Sequence, residues 1–356
     1  MAIAVTFLEQ GLQQPAAVAA LLADFLAGAR ASLHVAIYDC RLSDALAVPV
    51  LQALRDRAAA GVEVRIVFDA GKPAVPFPAA GADPAPPGTA AFMARIGNGV
   101  QTRPVTGGHT PMPRLMHHKY VVRDGRTPAA AVWTGSANFT DDSWALQENN
   151  IVRLDSPELC AYYETDFAEL WSLGDIGTTG AHDTGHVTAG GREIAVAFAP
   201  GEGRAIDHDV AHRIGAARRR LKVCSMLLTA GSILGALGDA LHPGRVREYG
   251  GLYDRTQMEG VCRQWQGTPA EWKVAAFLQV ASPLAGKRST PYAPDNPHDF
   301  MHNKVLVCDD VVITGSYNLS HSATENAENL LFMHDPGLAD QYDAYIDRLV
   351  QRYRGG

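Results

Sequence analysis

The chain has 356 residues, 47% of them hydrophobic and 19% charged, and its 31 Lys and Arg against 38 Asp and Glu leave a net charge of −7. That length and apolar content suffice for two domains or one large duplicated unit, and they exclude disordered and collagen-like architectures. The mild acidity speaks against a protein that coats nucleic acid through bulk charge, although a local basic groove can exist on an acidic surface.

In chain order, Pro15 to Ala29 has helical spacing, Ser32 to Asp39 alternates like a strand, Ala45 to Ala60 is helical, and Val62 to Asp69 is a strand that follows Gly61. Ala16 to Gly28 is the most apolar N-terminal stretch. It carries Asp24, follows no basic residue and is too short to span a bilayer, so neither a secretory signal nor a membrane anchor is expected. Lys72 to Gly88 holds six prolines and predicts an irregular surface loop, or a lid beside the site into which it leads. Pro157 to Leu173 and Pro336 to Tyr353 read as amphipathic helices, each opened by a proline in its first turn. Gly174 to Gly191, rich in Gly and Thr, reads as a linker. Ala281 to Asn296 is a second Pro-rich stretch, the counterpart of the first. The five cysteines, at 40, 160, 224, 262 and 308, form no CxxC pair and leave one over, which fits a reducing compartment better than a disulfide framework or a zinc ribbon. A soluble, cytoplasmic protein is expected.

The chain repeats itself. Ala4-Val5-Thr6-Phe7 is echoed by Ala195-Val196-Ala197-Phe198, Leu33 within its strand by Leu221, and Met116-His117-His118-Lys119 by Met301-His302-Asn303-Lys304, at offsets of 191, 188 and 185 residues. A nearly constant offset over more than a hundred residues marks a duplication. Alternating strands and helices in each copy predict two α/β lobes, 1–175 and 192–356, joined by a linker over 176–191.

The repeat carries a chemical pattern. His117-x-Lys119-x4-Asp124 precedes Gly135-Ser136-x-Asn138 and Glu148; His302-x-Lys304-x4-Asp309 precedes Gly315-Ser316-x-Asn318 and Glu328. Asn and Glu stand ten residues apart in both copies. On a strand, His and Lys two apart share one face, leaving His118 on the other. These residue types suit a phosphodiester: lysines offset phosphoryl charge, Ser and Asn donate hydrogen bonds, and a histidine with a pKa of about 6.5 serves as nucleophile or acid near neutrality. A carboxylate on the second ring nitrogen would fix the tautomer, with Glu148 and Glu328 as the candidates. Two lysines would make a metal unnecessary.

Two complete HxKxxxxD motifs, each followed by GSxN, resemble the phospholipase D superfamily over nearly the whole chain. The resemblance implies an α/β fold of two phospholipase D-like α-β-α lobes related by pseudo-two-fold symmetry, with a single active site at their interface. It further implies a phosphohistidine on His117, with His302 as general acid and base. Lys119, Lys304, Ser136, Asn138, Ser316 and Asn318 would hold the phosphate, and Asp124 and Asp309 complete the catalytic motifs in supporting roles. The activity expected first is metal-independent phospholipase D-type hydrolysis or transfer of phospholipid head groups, by a monomer without a cofactor that meets a membrane surface peripherally. An endonuclease with the same chemistry is the alternative, since Ile313-Thr314-Gly315-Ser316-Tyr317-Asn318 resembles the small bacterial nucleases of the superfamily; a non-catalytic phosphate-binding scaffold is a third reading. The basic run Arg218-Arg219-Arg220 with Lys222 reads as a solvated helix end or a polyanion site. Tyr249, Tyr253, Trp265, Trp272 and Tyr292 read as core or as the lining of a substrate groove. His182/His186, His208/His212 and His298/His302 have metal-like spacing without the Cys or HExxH context of a zinc site.

Overall fold

Two sheets built to one plan organise the chain, in a computed structural model that describes residues 2–70, 88–97, 99–107, 114–189, 191–293 and 296–355. The Pro-rich segment read as a loop or lid falls almost wholly outside these residues. The first half runs β1 (Ala2–Leu8), α1 (Pro15–Ala27), β2 (Ser32–Ile37), β3 (Cys40–Arg41), α2 (Asp44–Ala59), β4 (Glu63–Asp69), α3 (Thr89–Ile96), β5 (Val100–Val105), β6 (Lys119–Arg123), β7 (Ala131–Gly135), β8 (Phe139–Thr140), α4 (Asp141–Ala145), β9 (Asn149–Asp155) and α5 (Pro157–Leu173). The second runs β10 (Gly185–Ala189), β11 (Arg192–Ala199), α6 (Gly203–Ala216), β12 (Arg220–Ser225), α7 (Gly231–Ala240), β13 (Glu248–Asp254), α8 (Arg255–Trp265), α9 (Trp272–Ala281), β14 (Ala285–Lys287), β15 (Lys304–Cys308), β16 (Val311–Gly315), a 3-10 turn over His321–Thr324, β17 (Glu328–His334) and α10 (Pro336–Tyr353).

The sheet orders are β1-β9-β7-β6-β2-β4-β5 and β10-β11-β17-β16-β15-β12-β13-β14. Strand for strand the two coincide, with β10 added at one edge. β10 lies inside the expected linker, where it pairs with β11 in antiparallel register, Gly185 opposite Val196. Gly185 lets the Tyr162 ring of α5 lie against the strand, since a Cβ there would meet that ring at 2.1 Å and displace it.

Alternation along the strands divides the core into layers. Leu33, Val35 and Ile37 of β2 face α1 and α2, whereas Ala36 of the same strand faces inward. In the second half Leu221 and Val223 of β12 face α6 and α7, and Cys224 faces inward. The inward faces of both sheets enclose one shared layer that holds α5 and α10, among them Tyr163, Phe167, Tyr342 and Tyr345. Both helices begin as their sequences require: Ser156 Oγ accepts from Leu159 N and Asp335 Oδ1 from Leu338 N, each with proline at the first turn.

Backbone contacts stitch the halves together at the start of each motif. His117 N donates to Ala327 O (2.9 Å) and Ala327 N to Leu115 O (2.8 Å); His302 N donates to Glu148 O (3.0 Å) and Glu148 N to Phe300 O (3.3 Å). These two parallel bridges, Met116 with Ala327 and Met301 with Glu148, are images of one another.

Candidate active site

β6 and β15 lie side by side with β7 and β16 in the middle of their sheets, so the residue pairs that precede them are buried at the seam. His117 is 6% and His302 7% exposed, Lys119 and Lys304 1% each. Each lysine donates to the backbone oxygen of its own histidine, Lys119 Nζ to His117 O and Lys304 Nζ to His302 O, both at 2.6 Å. The lysines feel each other: burial and then the Lys119 charge push Lys304 well below the ordinary lysine range, against the pull of Glu328. Tyr38, one residue beyond β2, packs its ring edge-on against His117 at 4.7 Å and lies under Lys119 Nζ at 5.1 Å. It was not among the residues singled out above; only its position at the end of an alternating strand hinted at it.

The histidine partners cross between halves. Nδ1 of His117 lies 2.8 Å from Glu328 Oε2. Burial raises the Glu328 pKa to about 8, with Lys119, Ser316, Lys304 and Asn326 limiting the rise. Nδ1 of His302 meets Asn149 Oδ1 at 3.0 Å. Glu148, expected as the second carboxylate, is turned away: its Oε2 lies 2.5 Å from Lys287 Nζ, and Tyr353 of α10 donates to its Oε1. The seam explains the correction. The bridges equate Glu148 with Ala327, and therefore Asn149 with Glu328. The connection through α4 is one residue longer than the one through the 3-10 turn, so equal Asn-to-Glu spacing does not mean equivalent positions.

The other motif residues divide by location. Ser136 Oγ donates to Asn149 Oδ1 (2.7 Å) and accepts from Asn150 N (3.0 Å); Ser316 Oγ accepts from Asn329 N (3.0 Å) and bonds Glu328. Both serines are fully buried and hold the histidine partners, a place different from the direct phosphate contact expected of them. The glycines before them are obligatory, since a Cβ at Gly135 or Gly315 would lie 2.2 Å from the carbonyl of Asn150 or Asn329. Among the described residues, the buried Oδ1 of Asn138 and that of Asn318 have no hydrogen-bond partner. Asp124 and Asp309 stand at the far ends of β6 and β15, about 20 Å of strand away from the histidines. Both adopt positive φ, 54° and 53°, and each carboxylate collects three consecutive backbone N–H groups: those of Arg30, Ala31 and Ser32, and those of Arg218, Arg219 and Arg220. Their grouping with the catalytic residues is corrected on that ground; they tie down the turns that launch β2 and β12.

Behind the histidines lies a second set of interlocking polar groups that the motif reading passed over. Asn150 Nδ2 donates to Asn303 Oδ1 (2.9 Å), while Thr314 and Tyr342 donate to Asn150 Oδ1. Its image joins Asn329 Nδ2 to His118 Nδ1 (3.1 Å), with Thr134 donating to Asn329 Oδ1. His118 Nε2 faces Asp166 Oδ2 at 3.3 Å, and Tyr120 donates to the same oxygen. His118 thus belongs to the fastening between the halves.

The remaining sequence features fall away from the site. Arg220 and Lys222 are paired with Asp340, Asp343, Asp347 and Glu248 and so are committed to α10 and β13, while Arg219 pairs with Asp310 and Arg218 donates to Gly215 O and Ala217 O. All five cysteines are free thiols. Among the described residues, the one group of three acidic, histidine or cysteine side chains close enough to share an ion is Glu248, Asp343 and Asp347, which already surrounds Lys222. No described helix is long and apolar enough to cross a membrane.

A duplicated α/β fold that joins two His-x-Lys motifs across one seam defines a phosphodiesterase-like protein. The family model described as "Cardiolipin synthase, PLD-like domain" matches residues 22–171 and 210–350, and the chain belongs to that phospholipase D superfamily. Its fold is shared with the phosphatidylserine synthase of Haemophilus influenzae Rd KW20, at TM-score 0.64 and 12% identity over 97% of this chain and 88% of that one. The polyphosphate kinase of Porphyromonas gingivalis gives TM-score 0.61 and 12% identity over 98% of this chain, which spans 47% of the kinase. Nuc from Salmonella typhimurium, a phospholipase D family member, aligns with 46% of this chain and 95% of its own at 24% identity and TM-score 0.34. No curated protein matches the chain.

Proposed function

We propose that the protein cleaves phosphodiesters through a phosphohistidine. The observation that carries this reading is the His117–Glu328 pair, formed across the seam beside both buried lysines. Once Glu328 is ionised, as it becomes when pH rises through about 8, its carboxylate at Nδ1 selects the tautomer with its lone pair on Nε2, the atom that attacks phosphorus. As the new N–P bond forms, the bond to the leaving oxygen breaks and His302 gives that oxygen a proton. His302 then takes a proton from water, or from an acceptor alcohol, whose oxygen displaces His117 and regenerates the enzyme. Lys119 and Lys304 offset the charge of the non-bridging oxygens, and the Nδ2 groups of Asn138 and Asn318 donate to complete their cradle.

For the substrate, the family description speaks for phospholipid head groups, as the sequence reading does. One structural observation favours the nucleic-acid reading. Tyr292, His298 and Phe300 form an aromatic cluster, with ring centroids 5.3, 5.1 and 6.4 Å apart, on the segment that runs into His302. Tyr292 is 62% exposed, and its ring offers a face on which a planar base next to a scissile phosphate would stack.

The test uses phosphatidylcholine vesicles with a primary alcohol, and in parallel single- and double-stranded DNA, all with chelator. Choline release with formation of a phosphatidyl alcohol supports the lipid reading; DNA cleavage without lipid turnover replaces it with the nuclease reading. His117→Ala is expected to lower turnover on the order of 10³-fold or more and to abolish acid-labile, protein-bound phosphate. Persistence of that label in the variant would overturn His117 as nucleophile, and a wild-type chain that binds phosphodiesters without cleaving any would establish the scaffold reading.

A further inference from the structure

We infer that Asn149 is the positioning residue of His302, and that an amide at this place, opposite a carboxylate at His117, divides the work between two otherwise symmetric histidines. The inference rests on the phosphodiesterase reading above and assigns a residue that the motifs do not contain.

The seam makes Asn149 and Glu328 images of each other, since each follows the residue whose carbonyl accepts the N–H of a motif histidine. Each reaches the Nδ1 of that histidine, and each is held by the serine of its own Gly-Ser pair. The orientation of the Asn149 amide follows from its surroundings. Nδ2 donates to Ser143 O and to Gln147 Oε1, both at 3.2 Å, and Gln147 is itself oriented by donating from Nε2 to His298 O at 2.9 Å. A carbonyl can only accept, so the oxygen of Asn149 is the atom that faces His302, and Nδ1 of His302 carries the hydrogen.

The consequence is chemical. Both histidines present Nε2 to the phosphate, but a neutral amide stabilises an imidazolium at His302 less than a carboxylate would. His117 is the more basic nitrogen and the better nucleophile; His302 gives up its proton more readily, as an acid serving a leaving oxygen must. Among the described residues, charged groups close to the His302 segment include Lys304 on its own strand, Lys119 and Glu328 around that lysine, Asp254, whose Oδ2 accepts from Met301 N, and the Glu148–Lys287 pair between β9 and β14. Two buried lysines reinforce the effect of the amide.

Asn149→Asp tests this by making the two histidines equivalent. His302 is followed by NMR titration of its ring in substrate-free protein, with His302→Gln identifying the signal. Turnover of bis(p-nitrophenyl) phosphate is followed against pH. We expect Asn149→Asp to raise the His302 pKa by about one unit or more and to carry the alkaline limb of the rate profile upward with it. Glu148→Gln, which leaves the Asn149 contact in place, should move both far less than Asn149→Asp, and Asn149→Ala should lower kcat by about 10- to 100-fold with little change in KM. A His302 pKa unmoved in Asn149→Asp, or raised as far by Glu148→Gln, overturns the inference. Because the titration needs no turnover, wild-type protein inactive on every phosphodiester would remove the functional reading and leave the Asn149 result to be judged separately.

Discussion

Glu328 is fully buried, and among the described residues it is the carboxylate seen bonded to a motif histidine. Its pKa of about 8 lies above the unfolded value, so the folded protein holds a proton there that the unfolded chain releases near 4.5. The stability linked to that proton is complete below about pH 4.5 and is lost as pH rises through about 8. Glu328→Gln should therefore melt close to wild type at pH 5 and above it at pH 9, while turnover falls by about 10²- to 10⁴-fold. Paired melting curves at the two pH values check this, and equal melting at pH 9 would refute it. Asp124 belongs to the opposite class. Asp124→Ala strips three N–H groups of their acceptor and should cost about 2–3 kcal/mol in urea denaturation, while kcat of the folded fraction stays within about 2-fold of wild type. At this scale the histidines and lysines were legible because the motif repeats them. The second histidine partner was not, because one extra residue in the α4 connection made the wrong glutamate fall at the matching count.

Elements were legible where local chemistry sets their ends. Proline at the first turn and a capping Ser or Asp delimited α5 and α10 to the residue, and alternation found β2 and β4. β10 was hidden, because its pairing with β11 and its packing on Tyr162 are tertiary effects that override a Gly- and Thr-rich composition. The helical character of α10 was legible, but its place in the centre of the molecule was not. Tyr345 donates to Leu8 O at 3.0 Å, accepts from Asn303 Nδ2 at 2.9 Å and stacks on Phe7 at 4.2 Å, so the helix ties β1 of the first half to the segment before β15. Tyr345→Phe keeps the ring and removes both hydrogen bonds, leaving the Asn303 amide and the Leu8 carbonyl buried. A loss of about 1–2 kcal/mol is expected, read as a lower urea midpoint with an unchanged slope. A variant as stable as wild type would show that the hydroxyl does not fasten the halves.

At the scale of the molecule, the duplication has become an obligation. The central layer takes α5 from one half and α10 from the other, and each histidine draws its Nδ1 partner from the half that does not contain it. Residues 1–175 produced alone would expose Tyr163, Phe167 and Leu170 to water, and residues 192–356 alone would expose Tyr342, Tyr345 and Leu349. Neither half should catalyse as a monomer, and the two co-expressed should reassociate into an active 1:1 complex, as size-exclusion chromatography and turnover would show. Self-pairing separates the halves further. Two second halves meeting through the same seam would set Glu328 against each His302, a site with a carboxylate on both histidines. Two first halves would set Asn149 against each His117, with a carboxylate on neither. Residual turnover is therefore expected only from residues 192–356, at concentrations that drive dimer formation. Turnover from residues 1–175 alone would show that the crossed Glu328 contact is dispensable.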